Sequence, residues 1–194
     1  MGQRDDLLAG ARTCLAEKGL GRTTARDIAA ASGANLASIG YHFGSKDNLM
    51  NIAVLDAVNE LGDAVETAVR SADGDSPAER MQVALDEVHT MLGQERGLMV
   101  ASVHAYSQAL FSDEVRRSTV DSIARGRGEM AAMILGVSPD ELDPDRAQRL
   151  GSVVHNLIIG ITFQYLLDPD SLPSGEEFVS ALQVLASGVE PSLS

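Results

Sequence analysis

The chain has 194 residues, 44% of them hydrophobic, so it is long enough to bury a sizeable core and too apolar to be disordered. Its one cysteine, Cys14, excludes an intrachain disulfide and a Cys-x-x-Cys metal site. We expect no apolar run as long as a membrane span, and the early charges at the N-terminus argue against a signal peptide. A soluble cytoplasmic protein without membrane contact is therefore expected.

Charge is unevenly distributed along the chain, whose formal net charge is −13. Residues 1–50 contain six basic and five acidic residues, whereas residues 51–194 contain nine basic and 23 acidic residues. We predict two domains, which we call the head (residues 1–47) and the body (residues 48–194). Because an acidic surface repels phosphates, only the head is electrostatically suited to approach a nucleic acid.

Apolar residues recur with helical periodicity from one end of the chain to the other, and no alternating strand pattern is present. Thr24 with Asp27 and Ser76 with Glu79 have the spacing of capping boxes, which mark helix starts. The predicted fold class is all-α, with an N-terminal helix-turn-helix domain and a C-terminal helical domain for ligand binding and dimerisation. About nine helices are expected, over residues 4–18, 24–31, 36–43, 45–70, 77–93, 98–110, 113–135, 145–167 and 174–189.

Residues 24–47 have the pattern of a helix-turn-helix. Ile28 and Ile39 are core positions, Ala29 is small where two helices would cross, and Gly33 stands where the turn needs a left-handed backbone. The residues that follow make a resemblance specific. Over about residues 4–50 the chain resembles TetR-type (tetracycline-repressor-like) transcriptional regulators, at Thr24, Ile28, Ala29, Gly33, Tyr41, His42, Phe43, Ser45, Lys46 and Leu49.

The expected base-reading surface is the short third helix, because a helix in the major groove reads bases with residues near its N-terminus. The side chains of Asn35 and Ser38 are suited to base edges, and Ala37 to a thymine methyl. Gly40 is small enough to let DNA approach, but it stands where such regulators commonly carry an aromatic contact. The predicted exposed positions are Asn35, Leu36, Ala37, Ser38 and Gly40.

Phosphate contacts are expected around the reading helix. The positive charge of Lys46 is unfavourable at the start of a helix, where the helix dipole is also positive. A phosphate bound there would pair with the lysine and with the free backbone N–H groups together. The remaining predicted contacts carry polar tips or lie at a helix start, and they are Thr24, Arg26, Tyr41 and His42. Taken singly, each is more often an ordinary structural or surface residue, and only the joint pattern favours DNA binding.

The resemblance implies a homodimer built on the last two long helices, with residues 145–190 as the self-association region and double-stranded operator DNA as the other partner. The helix at 145–167 is apolar too far round for a one-sided surface helix, and Gly151 and Gly160 would admit a close neighbour. Phe178, Leu182, Leu185 and Val189 offer a second seam. The alternative is that both helices are simply the core of a monomer.

The resemblance also implies a pocket in the body for a small-molecule effector, whose identity the sequence does not reveal. The candidate lining residues are apolar or histidine, and each alone is more often plain core: Met81, His89, Met91, Met99, Val103, His104, Tyr106, Phe111, Met130, Met133, His155 and Phe163. Methionines adapt to varied apolar ligands. His89, His104 and His155 lack the spacing of a zinc site, and we expect neither metal nor cofactor.

The predicted function is a DNA-binding transcriptional regulator that binds a palindromic operator as a homodimer and is released by a small molecule. Repression is the expectation for the family that the chain resembles. One alternative is a constitutive DNA-binding dimer without an effector. An enzyme with His104 or His155 as general base is a further alternative, but no nucleophile–base spacing or phosphate loop supports it.

Overall fold

The computed structural model describes residues 2–72 and 74–187. Those ranges contain nine α-helices, three short 3-10 helices and no β-strand, which confirms the all-α prediction. The α-helices are α1 Gln3–Lys18, α2 Ala25–Ser32, α3 Leu36–Phe43, α4 Lys46–Ser71, α5 Pro77–Gln94, α6 Arg96–Ala109, α7 Asp113–Leu135, α8 Pro144–Leu167 and α9 Gly175–Ser187. The 3-10 helices are Leu20–Arg22, Pro139–Glu141 and Pro169–Ser171.

The predicted helix starts are confirmed by their hydrogen bonds. The backbone N–H of Asp27 donates to the Thr24 hydroxyl (3.2 Å), and the Thr24 N–H donates to the Asp27 carboxylate (2.9 Å). Ser76 and Glu79 make the same reciprocal pair at the start of α5. One boundary was wrong: α6 begins at Arg96, so Gly97 lies inside the helix rather than in a break.

The chain divides into two compact units. The first unit comprises Met1–Leu61 and Glu95–Ile123, and the second comprises Gly62–Gln94 and Ala124–Ser194. The predicted division at residue 47 remains a prediction. The helix α4 contributes to both units, and its first residues share a core with the head, as the packing below describes.

The first unit is built around a core where α1, α2, α3 and the start of α4 meet. Its fully buried residues include Leu7, Ile28, Phe43 and Leu49. Gly10 is required by this packing, because a Cβ there would come within 2.8 Å of the Ser32 Cβ on α2. The helix crossing thus uses a glycine on α1, which the sequence pattern did not reveal.

A second cluster in the same unit joins α4 to α6 and α7. Val54 and Val115 are fully buried in it, together with Ala105. Leu15 of α1 packs partly against both clusters. The head helices and the α6–α7 turn therefore pack against the same section of α4.

In the second unit, α9 packs on α5, and its first residue is held by a hydrogen bond from the Gly175 N–H to the Asp86 carboxylate (2.9 Å). Phe178 and Leu182 of the predicted dimer seam are half-buried, whereas Leu185 is 80% exposed. Val189 lies outside the described residues. The apolar stripe of α9 is therefore half-buried within the unit at Phe178 and Leu182 and exposed to solvent at Leu185.

The helix α8 corrects the expectation that no apolar run approaches a membrane span. Residues 150–167 contain no charged side chain, and by length and composition the helix is able to cross a membrane. One such helix is weak support for a membrane protein, because core helices of soluble proteins have the same composition. Only 17% of its apolar segment is buried within the chain, and the remaining positions are half-buried or exposed.

A small pocket of about 220 Å³ lies in the second unit. Its lining includes Val69, Met133 and the guanidinium of Arg80. That guanidinium donates hydrogen bonds to the carbonyl oxygens of Ile134 (2.8 Å) and Leu135 (3.0 Å) and also to Gly74. Arg80 therefore caps the C-terminus of α7, where carbonyl groups lack helical partners.

Candidate nucleic-acid interface

The turn between α2 and α3 has the geometry that the sequence pattern predicted. Gly33 ends α2 with φ +67°, in the left-handed region that favours glycine. Asn35 then caps α3, because its side-chain oxygen accepts the Ala37 N–H at 3.0 Å. Ile39 and Phe43 turn into the core, which leaves the opposite face of α3 to the solvent.

The predicted reading residues lie together on or beside that outward face. Ser38 is half-buried, and the other four positions are exposed: Asn35, Leu36, Ala37 and Gly40. The cap occupies the Asn35 oxygen, so the amide nitrogen is the donor available for a base edge. No atom lies within 4 Å of the position that a Gly40 Cβ would take, so packing does not demand glycine there.

Lys46, at the first position of α4, is half-buried beside the reading helix. Its ammonium lies 2.9 Å from the Asp47 carboxylate and 3.4 Å from the Thr23 carbonyl oxygen. An ammonium has three donors, and an exposed pair of this kind is worth only about 0–1 kcal/mol, so a phosphate would compete with Asp47 at little cost. These contacts hold the Lys46 ammonium near the N-terminus of α4 and leave it able to bind a phosphate.

Tyr41 and His42 follow the reading face toward the end of α3. Tyr41 is 86% exposed, and its ring meets that of His42 edge-on at 4.9 Å between centroids. The His42 Nε2 lies 3.3 Å from the Gln3 side-chain oxygen, which orients the half-buried imidazole. Both polar tips lie at the end of α3 that leads to Lys46.

Thr24 and Arg26 are exposed at the start of α2. The Thr24 hydroxyl donates to the Asp27 carboxylate at 2.7 Å, so a phosphate would have to replace Asp27 as its acceptor. Lys18 contacts the same carboxylate at 2.6 Å. The Lys18 ammonium and the Thr24 donors hold the pKa of Asp27 well below its usual range. Of this pair, Arg26 is therefore the residue freer to contact DNA.

Three residues beside the interface were not predicted from the sequence. Gln3 contacts His42, and the Arg4 guanidinium carbon lies 4.8 Å from the centroid of the Phe43 ring. Asn48 donates from its amide to the Phe43 carbonyl oxygen at 3.1 Å. The first two contacts join residues about 40 positions apart, so no local sequence signal points to them.

The predicted effector contacts are divided between the two units. The first unit contains Met99, Val103, His104, Tyr106 and Phe111, of which His104 and Phe111 are exposed. The second unit contains Met81, His89, Met91, Met130, Met133, His155 and Phe163, of which Met133 and His155 are buried. Met133 is the member of this set that lines the 220 Å³ pocket. Their role in binding remains a prediction.

Histidine geometry in the body does not suggest a metal site. Within residues 2–72 and 74–187, no group of three or more His, Cys, Asp or Glu side chains is arranged to hold an ion. His89 instead packs edge-on against Tyr165 at 5.7 Å between ring centroids. His155 is buried, and burial lowers its pKa with a smaller contribution from the charge of Arg127.

An exposed short helix, fixed by a glycine turn over a small helical core, defines this molecule as a helix-turn-helix DNA-binding protein. Residues 7–52 match the family "Bacterial regulatory proteins, tetR family". The transcriptional regulator TtgR of Pseudomonas putida is 27% identical over 177 residues, which cover 87% of this chain and 82% of that protein. Residues 7–52 therefore carry the DNA-binding domain of the TetR-type family, and that family and the matching relatives are transcriptional regulators rather than enzymes.

Two further similarities agree with that assignment. The transcriptional repressor KstR2 of Mycolicibacterium smegmatis is 31% identical over 120 residues, covering 59% of this chain and 51% of that protein. The multidrug binding protein EbrR, solved in complex with imidazole, matches with a TM-score of 0.57 and 24% identity over 100% of this chain and 99% of that one. The latter similarity concerns the fold alone.

Proposed function

We propose that the protein represses transcription by binding a palindromic operator as a homodimer and leaves the operator when its body binds a small molecule. The observation that carries this proposal is the outward face of α3, where small and polar residues are exposed over a fully buried core. Packing within a single soluble chain does not account for this face. A cytoplasmic location follows from access to the operator.

Base reading is assigned to the start of α3. Asn35 and Ser38 supply hydrogen-bonding groups, whereas Leu36 and Ala37 supply apolar contacts suited to thymine methyl groups. Gly40 leaves room for a base pair or sugar to approach the helix backbone. Lys46, Tyr41, His42 and Arg26 surround this surface and supply phosphate contacts that set the position of the helix in the groove.

Dimerisation is assigned to α8, because its uncovered surface forms one stripe. The positions Val153, Asn156, Gly160, Phe163 and Leu167 are all exposed and alternate in steps of three and four residues. That spacing is typical of helices that pack side by side. Gly160 has no atom within 4 Å of its Cβ position, so a helix of a second copy has room to approach there. Leu185 of α9 is a further exposed apolar residue of this unit.

Two such copies would present two reading helices, and the operator half-sites would lie about 34–36 Å apart or a multiple of that distance. Release from the operator requires a body conformation in which the two reading helices no longer match the spacing of the half-sites. A coupling free energy of about 1–3 kcal/mol would lower operator affinity by roughly 5–150-fold. The helix α4, which belongs to both units, is the proposed mechanical link.

The test is selection of binding sequences from random double-stranded DNA by the full-length protein. Enrichment of a two-fold symmetric sequence, bound by two chains per duplex in sedimentation analysis, is the expected result. Selection of an asymmetric sequence by a single chain would contradict the dimer. Substituting Asn35→Ala or Ser38→Ala should change the preferred bases, and an unchanged selection would remove them as readers.

A constitutive DNA-binding dimer is the second candidate, and one observation favours it. One pocket of the second unit, of about 220 Å³, is smaller than the roughly 300–1,000 Å³ typical of small-molecule sites, and its charged side chain is occupied with capping α7. The two candidates differ in one measurement. Operator affinity that stays constant in the presence of every compound shown to bind the body would favour the constitutive dimer.

A further inference from the structure

Two buried polar atoms of the second unit have no hydrogen-bond partner within the described residues: the Nε of Arg127 on α7 and the Nδ1 of His155 on α8. His155 is only 8% exposed. Buried polar groups in native proteins are nearly always paired, because an unpaired group loses its hydration without compensation. His155 is one of the predicted effector contacts, whereas Arg127 is not among them.

The two groups belong to one helix contact. Gly151, one turn before His155, lies directly against the backbone of Arg127, and a Cβ at this glycine would overlap the Arg127 carbonyl group. The charge of Arg127 also reaches the imidazole, because it contributes to the lowered pKa of His155. The orphaned donor and the orphaned ring nitrogen therefore belong to facing turns of α7 and α8.

Their chemistry favours an anionic guest. A guanidinium is a cation, and no carboxylate of the described residues lies within ion-pair distance of Arg127. Because His155 is buried and favours the neutral form, its Nδ1 can carry a proton and donate. A carboxylate accepts hydrogen bonds from both groups and neutralises the cation.

Apolar residues flank both groups along their helices. Val154, next to His155, is 1% exposed, and Ala131, one turn after Arg127, is fully buried. Met130 follows Arg127 by three residues and is half-buried. A guest that meets these surroundings needs a hydrocarbon portion as well as an acidic group. A polar metabolite without such a portion would lose hydration at Met130 and Val154 without compensation.

We propose that Arg127 and His155 bind the carboxylate of an apolar organic acid. As a statement about which class of compound acts as the effector, this inference rests on the ligand control proposed above. As a binding site, it can be tested without DNA. The competing occupant is a single water molecule, which would accept from both donors but would leave the positive charge uncompensated.

The experiment titrates the full-length protein with octanoate and 4-phenylbutyrate in a calorimeter and compares them with 1-octanol and 4-phenylbutan-1-ol. We expect saturable binding of one acid per chain and binding of the alcohols weaker by about tenfold or more, as for loss of a charged hydrogen bond. Equal affinity for acids and alcohols, or no acid binding up to millimolar concentration, would overturn the proposal in favour of water.

Matched variants locate the site. Arg127→Met keeps an apolar stem and should lose acid affinity by about tenfold or more, whereas Arg125→Gln removes an exposed charge from the same helix and should change nothing. Acid binding that is equal in these two variants would overturn the assignment. If Arg127→Met fails to fold, the imidazole nitrogen resonances of the unsubstituted protein supply the answer, because octanoate should shift those of His155 and octanol should not.

Operator binding separates this inference from the function on which it rests. If octanoate binds through Arg127 but leaves operator affinity unchanged, the carboxylate site is supported and ligand control by it is refuted. If another compound releases the operator while no acid binds, ligand control is supported and the carboxylate site is refuted.

Discussion

At the scale of single residues, the groups proposed to contact DNA are held in place through weak, replaceable contacts. Lys46 is paired with the exposed Asp47, and His42 rests on Gln3. Contacts of this kind orient a side chain, but their free energy is small and they are easily replaced. In the proposed complex, phosphate oxygens would therefore take the place of Asp47 or Gln3.

Lys46→Ala should weaken binding to all DNA sequences about equally and lower the slope of log affinity against log salt by roughly one, because one phosphate contact is lost. Fluorescence anisotropy at several salt concentrations measures both effects. Asp47→Asn is the matched control, since it removes the competing carboxylate and should strengthen binding. A loss confined to one base position would contradict the phosphate role.

Gly40→Ala should stabilise the protein, because the Cβ would enter open space and alanine favours a helix over glycine by about 0.5–1 kcal/mol. Chemical denaturation measures the change. Gly33→Ala and Gly10→Ala are the controls, and both should destabilise, the first through its φ of +67° and the second through overlap with Ser32. Destabilisation by Gly40→Ala as well would show that its environment is tighter than described.

The lowered pKa of Asp27 predicts acid sensitivity of the head. Since the folded protein binds this proton less readily than the unfolded chain, the stabilisation is complete above the unfolded pKa of about 4 and is lost as pH falls below it. Asp27→Asn should flatten the dependence of unfolding free energy on pH below about 4, and Lys18→Gln should reduce it partly. Denaturation curves across that range that superimpose for all three proteins would refute the prediction.

At the scale of elements, one side chain connects the end of the reading helix to the start of α7. The Asn48 amide donates to the carbonyl oxygen of Phe43 (3.1 Å) and to the carboxylate of Glu114 (3.4 Å), and its oxygen accepts the Ser112 hydroxyl (3.2 Å). All four residues belong to the first unit. A displacement of the α6–α7 turn would therefore reach the C-terminus of α3 directly.

Asn48→Ala should lower the unfolding free energy by about 1–3 kcal/mol and weaken operator binding without changing base preference, because partly buried polar partners lose their hydrogen bonds. Asn59→Ala is the matched control. Asn59 also joins α4 to α7, through Ser122 at 2.6 Å, but does not touch the head. Equal loss of operator affinity in both variants would show that Asn48 acts only through general stability.

At the scale of the whole molecule, the uncovered apolar surface of α8 is the feature that a single chain leaves unexplained. Phe163 and Leu167 are 45% and 84% exposed at the end of that helix. Full burial of an exposed side chain of this size is worth about 1.5–3 kcal/mol, so covering the exposed parts of these two would favour the proposed association with a second copy. A lone chain with this surface would be prone to non-specific association.

Phe163→Glu should convert the dimer to a monomer and lower operator affinity by about tenfold or more, since two heads no longer bind together. Sedimentation equilibrium and mobility shift measure the two effects. Leu110→Glu is the control, because Leu110 is 73% exposed but lies outside the α8 stripe, and it should leave association unchanged. A Phe163→Glu protein that remains dimeric would exclude this face.

The sequence by itself determined the helices, their caps and the DNA-binding family, because these depend on local signals: periodicity, the Thr24–Asp27 spacing and the Gly33 turn. Only the tertiary structure decided which faces are covered. It placed Gly10 against α2 and Asn48 between the reading helix and α7, and it left the Arg127 Nε and the His155 Nδ1 buried without a hydrogen-bond partner. Such contacts join distant segments, and hydrophobic periodicity records that a face is apolar but not which surface covers it.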